Sequence, residues 1–260
     1  MRFASLGSGS EGNALLISAA AGVTRTTVML DCGFGIRETE RRLARLGLAA
    51  ADLAGIVVTH EHQDHIGGVF KFARRHKVPV WLTYGTWQAA RRDCEGVAVN
   101  FCRDGDRLAI GDLELSPYTV PHDAREPVQY LASDGNHRLG VLTDAGQATS
   151  HMLDMLGGCH ALMLECNHDR DMLAGSAYPY PLKQRIGGSY GHLSNDTAAD
   201  ILARIDTTRL TRVVAAHLSK QNNTPDLARE ALCGTPGASG FEVMVACQED
   251  GFGWTAVGEG

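Results

Sequence analysis

The sequence predicts an α/β protein in which two sheets pack together and helices lie outside them. Strand-like apolar runs occur toward both ends of the chain, helical spacings fall between and after them, and no repeat, low-complexity segment or linker interrupts the 260 residues. A composition that is 44% hydrophobic and 21% charged suffices for a full core, so one domain spanning residues 1–260 is expected.

Composition also narrows the function classes. No stretch approaches the roughly 18 uninterrupted apolar residues of a membrane span, and the N-terminus lacks a basic segment followed by an apolar signal core, so a cytoplasmic protein is expected. The seven cysteines are odd in number and scattered, with no CxxC pair, which points to reduced, mostly buried thiols rather than disulfides or a zinc knuckle. A net charge of −6 argues against general nucleic-acid binding through a basic surface, while leaving room for a local basic patch. Oligomeric state is not legible.

In chain order, Phe3 to Ile17 carries Gly7-Ser8-Gly9-Ser10-Glu11-Gly12-Asn13 between two short apolar runs, which reads as strand, glycine turn and strand. The GKS/T ending of a phosphate-cradling loop is missing, so the plain turn is the expectation. Thr26 to Asp31 forms a strand with Asp31 at its end, where a turn-capping carboxylate is the more ordinary reading and support of a neighbouring site the alternative. Ile36 to Leu46 is a helix with Ile36, Thr39, Leu43 and Leu46 on one face and Glu38, Glu40, Arg41, Arg42 and Arg45 mostly toward solvent.

The apolar run Ile56-Val57-Val58 then leads into Thr59 to Gly68, THEHQDHIGG, followed by a helix over Val69 to Lys77. Three imidazoles and two carboxylates crowd a strand-to-helix loop there. Such a loop can turn His60 and His62 toward one metal ion and Asp64 and His65 toward a second, since imidazole and carboxylate are the side chains that hold zinc, manganese or iron. The basic run Arg74 to Lys77 reads as a solvated last helical turn.

Val78 to Leu82 is the next strand, and from Val97 to Leu142 short apolar runs alternate with turn signals in the pattern of a meandering sheet. His122 and Asp144 both follow strands, which is the placement of the first cluster. Ala161 to Glu165 is a buried strand, and Ala177 to Pro181 is a loop rich in tyrosine and proline leading to Lys183 and Arg185. Ser194 is a helix N-cap with His192 just before it; His217 ends the strand Val213 to Ala216; Thr224-Pro225 opens another helix. Phe241 to Cys247 and Phe252 to Val257 close the chain as strands.

The order HxHxDH, strand-end histidine, strand-end aspartate and late histidine (His60, His62, Asp64, His65, His122, Asp144 and His217) resembles the metallo-β-lactamase superfamily over nearly the whole chain. Within it the sequence is similar to the bacterial YycJ/WalJ (VicX) family through SGSEGNA at Ser8 to Ala14, LDCGFG at Leu30 to Gly35 and VPHDAREP at Val120 to Pro127. LTDAG at Leu142 to Gly146, ECNHDRDML at Glu165 to Leu173, GHLSN at Gly191 to Asn195 and HLSKQNN at His217 to Asn223 complete the similarity.

That resemblance implies a four-layer αββα sandwich of two mixed sheets with helices outside, and two divalent metal ions, zinc or manganese with iron as a third choice. His60, His62 and His122 would hold the first, Asp64, His65 and His217 the second, and Asp144 would bridge them. It also implies a dinuclear-metal-dependent hydrolase of phosphodiester bonds, a DNA or RNA nuclease with exonuclease action as the leading form. A hydroxide bridging two cations about 3.5–4 Å apart would attack phosphorus. His192 would assist at the phosphate or leaving oxygen, oriented by Glu165, and Asp64 would take up a proton. Lys183 and Arg185 are candidate substrate-phosphate contacts. A small-molecule phosphodiesterase and a glyoxalase II-like thioesterase are the alternatives on the same fold, the latter weakened by His122 lying in VPHDA. From a different class, a non-catalytic metal-binding regulatory protein is weakened by all seven ligand positions being present.

Overall fold

The computed structural model describes residues 1–235 and 240–258. The chain begins with β1 (Arg2–Gly7), β2 (Ala14–Ala21) and β3 (Thr24–Leu30), then α1 (Ile36–Arg45), β4 (Gly55–Val57), α2 (Gln63–Ile66), α3 (Val69–His76), β5 (Val80–Leu82), α4 (Tyr84–Ala90) and β6 (Val99–Phe101). A second run follows with β7 (Leu108–Ile110), β8 (Leu113–Thr119), β9 (Val128–Ser133), β10 (Arg138–Leu142), α5 (Ser150–Leu156) and β11 (Ala161–Glu165). It continues through α6 (Arg170–Gly175), α7 (Tyr180–Ile186), α8 (Asn195–Arg204), β12 (Arg212–Ala216), α9 (Pro225–Cys233) and β13 (Glu242–Val245), and β14 (Phe252–Ala256) returns to the first sheet. The two seven-stranded sheets run β14-β1-β2-β3-β4-β5-β6 and β13-β12-β11-β10-β9-β8-β7.

Period-two alternation explains why these strands must be covered on both faces. In β2 and β3, Leu15, Ile17, Val28 and Leu30 point between the sheets, where they meet Leu115, Tyr130, Val141 and Val214. Their neighbours Leu16 and Met29 point the other way, against Leu43 of α1 and Phe70 and Phe72 of α3. On the far side Leu162, Leu164, Val213 and Ala215 pack against Met152 of α5, Ile201 and Leu202 of α8 and Leu232 of α9. Three apolar layers separate four layers of structure, which is the αββα sandwich.

Both sheets change from antiparallel to parallel part-way across. β3 to β6 are parallel, as are β10 to β13, with Val28 opposite Gly55 and Glu165 opposite Ala216 among the pairs. Parallel strands end together, and ligands gather at their carboxyl ends in open α/β sheets. Those ends carry the residues considered next.

Three expectations need correction. β6 leaves the meander to join the first sheet beside β5, because Val99 to Phe101 pairs in parallel with Val80 to Leu82. The tyrosine- and proline-rich stretch is a loop only to Pro179; Tyr180 opens α7, with Pro181 in the first turn, where its missing N–H costs nothing. Arg42 is buried rather than on the wet face of α1: its guanidinium stacks 4.1 Å from the Phe34 ring and donates to the Leu6 and Gln248 carbonyls. A long aliphatic stem on an amphipathic helix can reach inward in this way.

Five cysteines are buried, Cys233 and Cys247 are exposed, and all seven are free. Among the described residues no helix is long and apolar enough to cross a membrane.

Candidate metal centre at the strand ends

His60 stands three residues after β4, His62 is the N-cap residue of α2, and Asp64 and His65 lie in its single turn. His122 and Asp144 follow β8 and β10, Glu165 is the last residue of β11, His217 is the first after β12, and His192 precedes Ser194, the N-cap of α8. The ligand atoms gather into groups within 4.8 Å: His60, His62 and His122; His60, His65 and Asp144; Asp64, His65 and His217; and Asp144, Glu165, His192 and His217. Of four non-glycine residues with left-handed backbone among the described residues, three are here: Asp31 (φ 60°), Asp144 (φ 53°) and His217 (φ 56°). That conformation is uncommon outside glycine and clusters where function over-determines the chain.

Hydrogen bonds around the histidines decide which nitrogen each presents. Asp31 accepts from Thr59 N at 2.8 Å, from Thr59 Oγ1 at 2.7 Å and from His65 Nδ1 at 2.8 Å. Burial pushes the Asp31 carboxyl up, yet three donors are the surroundings of an ionised carboxylate. His65 Nε2 therefore points into the cluster, 3.1 Å from Asp144 Oδ2 and 3.1 Å from Asn13 Nδ2. Because Thr59 Oγ1 spends its proton on Asp31, it accepts from His60 Nδ1 at 2.9 Å, leaving His60 Nε2 bare. His122 Nδ1 donates to Gly191 O at 2.9 Å and its Nε2 faces His62 Nδ1 at 3.1 Å. His217 Nδ1 donates to Glu165 Oε1 at 3.0 Å and its Nε2 faces Asp64 Oδ2 at 3.3 Å.

Acceptor atoms of His60, His62, His122, Asp64 and Asp144 thus converge on one place. His60 Nε2 and Asp144 Oδ2 are buried with no hydrogen-bond partner, although Asp144 Oδ2 lies 3.1 Å from His65 Nε2. Buried acceptors left so are rare unless an ion or water completes them. A nitrogen and oxygen set of this composition fits divalent cations such as zinc or manganese.

Electrostatics agree. Burial pushes Asp144 up, but His217 and His65 overcome it and hold the carboxyl well below its usual range. Burial likewise opposes ionisation of Asp64 and is outweighed, first by His65. His217 is raised to about 10 because Asp144 and then Asp64 and Glu165 more than offset its burial. Buried His60 and His122 are lowered and stay neutral. Asp144, Asp31 and Asp64 likewise hold His65 well above its ordinary range in spite of burial, so the carboxylates draw positive charge into the cluster.

Glu165 ties the second half together. Oε1 accepts from His192 Nδ1 at 2.8 Å as well as from His217, and Oε2 accepts from Leu193 N and Ala145 N, both at 3.0 Å. Its carboxyl falls to about 2 although burial opposes this, with His192 the main cause, and His192 is raised in turn against its own burial.

Several supporting residues escaped the sequence. Asp31 is more than a turn cap, since it orients His65, and Thr59 and Asn13 fix neighbouring imidazoles. The glycine turn abuts the site through Asn13 and through Ser8, whose Oγ accepts from His217 N at 2.9 Å. Gly33 allows this approach: a Cβ there would lie 2.0 Å from the Asp64 carbonyl oxygen. The signal available was the placement of SGSEGNA and LDCGFG beside strand ends. Lys183 and Arg185 sit on α7, not on a loop. Lys183 donates to Ala174 O at 2.6 Å and lines a cavity beside His192, whereas Arg185 Nε is 2.6 Å from Asp123 Oδ2 and does not line it.

The family model for the beta-lactamase superfamily domain matches residues 26–217. The chain belongs to the metallo-β-lactamase superfamily, and the fold agrees: the metallo-β-lactamase fold protein YhfI from Bacillus subtilis superposes with a TM-score of 0.73 at 16% identity, covering 98% of this chain and 99% of that one. Exodeoxyribonuclease YycJ of Bacillus anthracis is 34% identical over 246 residues, 94% of this chain and 92% of that protein. Exodeoxyribonuclease WalJ of Streptococcus pneumoniae is 30% identical over 232 residues, 87% and 85% of the two chains. Within the superfamily this chain belongs with YycJ and WalJ. It is a hydrolase of this fold with a buried histidine and aspartate metal-binding site.

Proposed function

We propose that the chain is a metal-dependent phosphodiesterase acting on nucleic acid, as a DNA exonuclease in the manner that the names of YycJ and WalJ state for those proteins. The observation that carries the reading is Glu165, which binds His217 on the metal side and His192 on the open side.

In this reading His60, His62 and His122 hold one cation, Asp64, His65 and His217 the other, and Asp144 lies between them. Two divalent cations supply Lewis acidity and a water acidic enough to act as nucleophile near neutral pH. The chain's own groups do the rest. Glu165 fixes the His192 ring with Nδ1 protonated and raises its basicity, so that Nε2 can protonate the leaving oxygen or hydrogen-bond a non-bridging one. Asp64, ionised beside His65 and His217, can take up a proton from the attacking water. Lys183, on the wall of the cavity beside His192, is placed to meet substrate phosphate, and Arg185 reaches it only by leaving Asp123.

End-labelled single- and double-stranded DNA and RNA, offered to metal-stripped protein reloaded with manganese, zinc or iron, test the reading. Stepwise loss of nucleotides from DNA ends supports it. Hydrolysis of a thioester with no cleavage of any strand or of a bis-phenyl phosphodiester would replace it with the thioesterase reading.

A further inference from the structure

Behind His192, on the side away from the clustered ligands, lies a cavity of about 450 Å³ between α6, α7 and α8, within the range of small-ligand pockets. Its walls include His168, Arg170, Tyr180, Lys183 and Ser194, and His192 is the wall it shares with the metal centre. The activity proposed above leaves His168 and Arg170 without a task.

His168 is 3% exposed and its Nδ1 is buried with no hydrogen-bond partner. Burial brings its pKa down to about 4, so the ring is a neutral imidazole with one N–H to offer. Its carbonyl accepts from Asn195 N at 2.9 Å and its backbone bridges to Ser194. The backbone is thus held in place while nothing among the described residues satisfies Nδ1.

Arg170 is held from the other direction. Its Nε donates to Ser194 Oγ at 3.1 Å and one amino group to Thr197 Oγ1 at 3.3 Å, and Asp196 stands 3.3 Å from Nε. The guanidinium is therefore parked over the first turn of α8, a ten-residue helix whose amino end also favours an anion. Lys183 brings a second cation from the facing wall. Tyr180 is 73% exposed at the mouth, with a ring face free for stacking.

Cations, hydroxyls and an unsatisfied imidazole beside an open aromatic ring match a phosphate ester that carries a base. We propose that this cavity is a second-phosphate subsite: it takes the phosphate one nucleotide away from the scissile bond, with Arg170 and His168 on that phosphate and Tyr180 against the base. The inference rests on the phosphodiesterase reading. The phosphate is either a terminal monoester or the next diester of a strand, since both offer the same oxygens.

Four model esters loaded onto the metal-replete enzyme test it: the 4-nitrophenyl phosphodiesters of thymidine at the 5′ and at the 3′ oxygen, each with and without a second phosphate on the other oxygen. In one of the two series the second phosphate should raise kcat/KM about ten-fold, the size of one charge-assisted hydrogen bond. Arg170→Gln and His168→Gln should each bring that ratio toward one. Arg170 is at the surface, so its variant keeps the proposal testable if His168→Gln unfolds, and thermal melts report which has happened. Oligonucleotides with phosphorylated or free ends then assign the source: an advantage confined to phosphorylated ends supports the monoester, and an equal rate on both supports the next diester. A ratio of one in both series, or a ratio that survives both substitutions, overturns the subsite. No hydrolysis of any of the four esters overturns the phosphodiesterase reading and the subsite with it.

Discussion

The two halves of the metal centre are built on different principles. In the first, His60, His62, Asp64 and His65 come from six consecutive residues, and Asp31, Thr59 and Asn13 each brace one or two of them. In the second, His122, Asp144, His192 and His217 come from separate strand and helix ends, and a single carboxylate, Glu165, orients two of them and pins two loop amides. A contiguous motif with distributed support tolerates the loss of one brace; a dispersed set gathered by one carboxylate does not.

The largest effect is expected where the halves meet. Asp144→Ala removes the carboxylate placed between both groups of ligands, so metal analysis should find neither cation fully bound. The kcat/KM for a phosphodiester should fall about 10³-fold or more, because nucleophile and charge stabilisation are lost together. Retention of both cations would show that the halves are independent.

Next come the two histidines on Glu165. His192→Ala should keep both cations and lower kcat by about 10²–10⁴-fold, the range for a general acid. His217→Ala should leave about one ion per chain, since the second cation would keep only Asp64, His65 and the shared Asp144. The reverse pattern of metal loss would exchange their roles.

The supporting carboxylates sharpen the contrast at a smaller scale. Asp31→Asn should weaken binding of one cation about 10–100-fold by loosening His65, with kcat largely recovered at saturating metal. Glu165→Gln should weaken metal binding through His217 and also leave kcat depressed at saturating metal through His192. Metal titrations followed by activity at saturation separate the two; identical behaviour would abolish the distinction between the halves.

The smallest effect lies behind the first half, where Glu38 holds Arg42 under the glycine turn. Hydrogen bonds from Arg41 and then Arg42 hold the Glu38 carboxyl at about 2, below its ordinary 4.5. A depressed carboxyl contributes stability that is present above pH 4.5 and is lost as the pH falls toward 2. Glu38→Gln should therefore lower the melting midpoint by about 1–3 °C at pH 7, allowing for solvent screening of this partly exposed group. The difference from the parent should shrink below pH 4.5; a constant difference down to pH 2 would mean that packing, not charge, is at stake.

Legibility followed the same division. The spacing of THEHQDHIGG was enough to read a metal loop, and helix starts at Ser194 and Thr224 were visible from their capping residues. That Asp144 and His217 share one edge depends on parallel register between β10, β11 and β12, and His122 joins them through the antiparallel pairing of β8 with β9 and β9 with β10, none of which a local pattern encodes. Arg42 was misread because a charged residue on a helix suggests solvent, while the carbonyls it reaches belong to Leu6 and Gln248, far away in sequence. Tyr180-Pro181 looked like loop because tyrosine and proline are poor helix formers, although proline suits a first turn. Asp31 and Asn13 belong to ordinary turn vocabulary until their partners are in view.

The left-handed backbone at Asp31, Asp144 and His217 has a bearing on how such a protein can decay. Each conformation suits glycine better than the residue that occupies it, so glycine relieves the backbone at all three positions, while at Asp144 or His217 it removes a candidate ligand and at Asp31 the brace of His65. The three positions then differ in what they cost to lose, since glycine at Asp31 also strands the buried donors of Thr59 and His65.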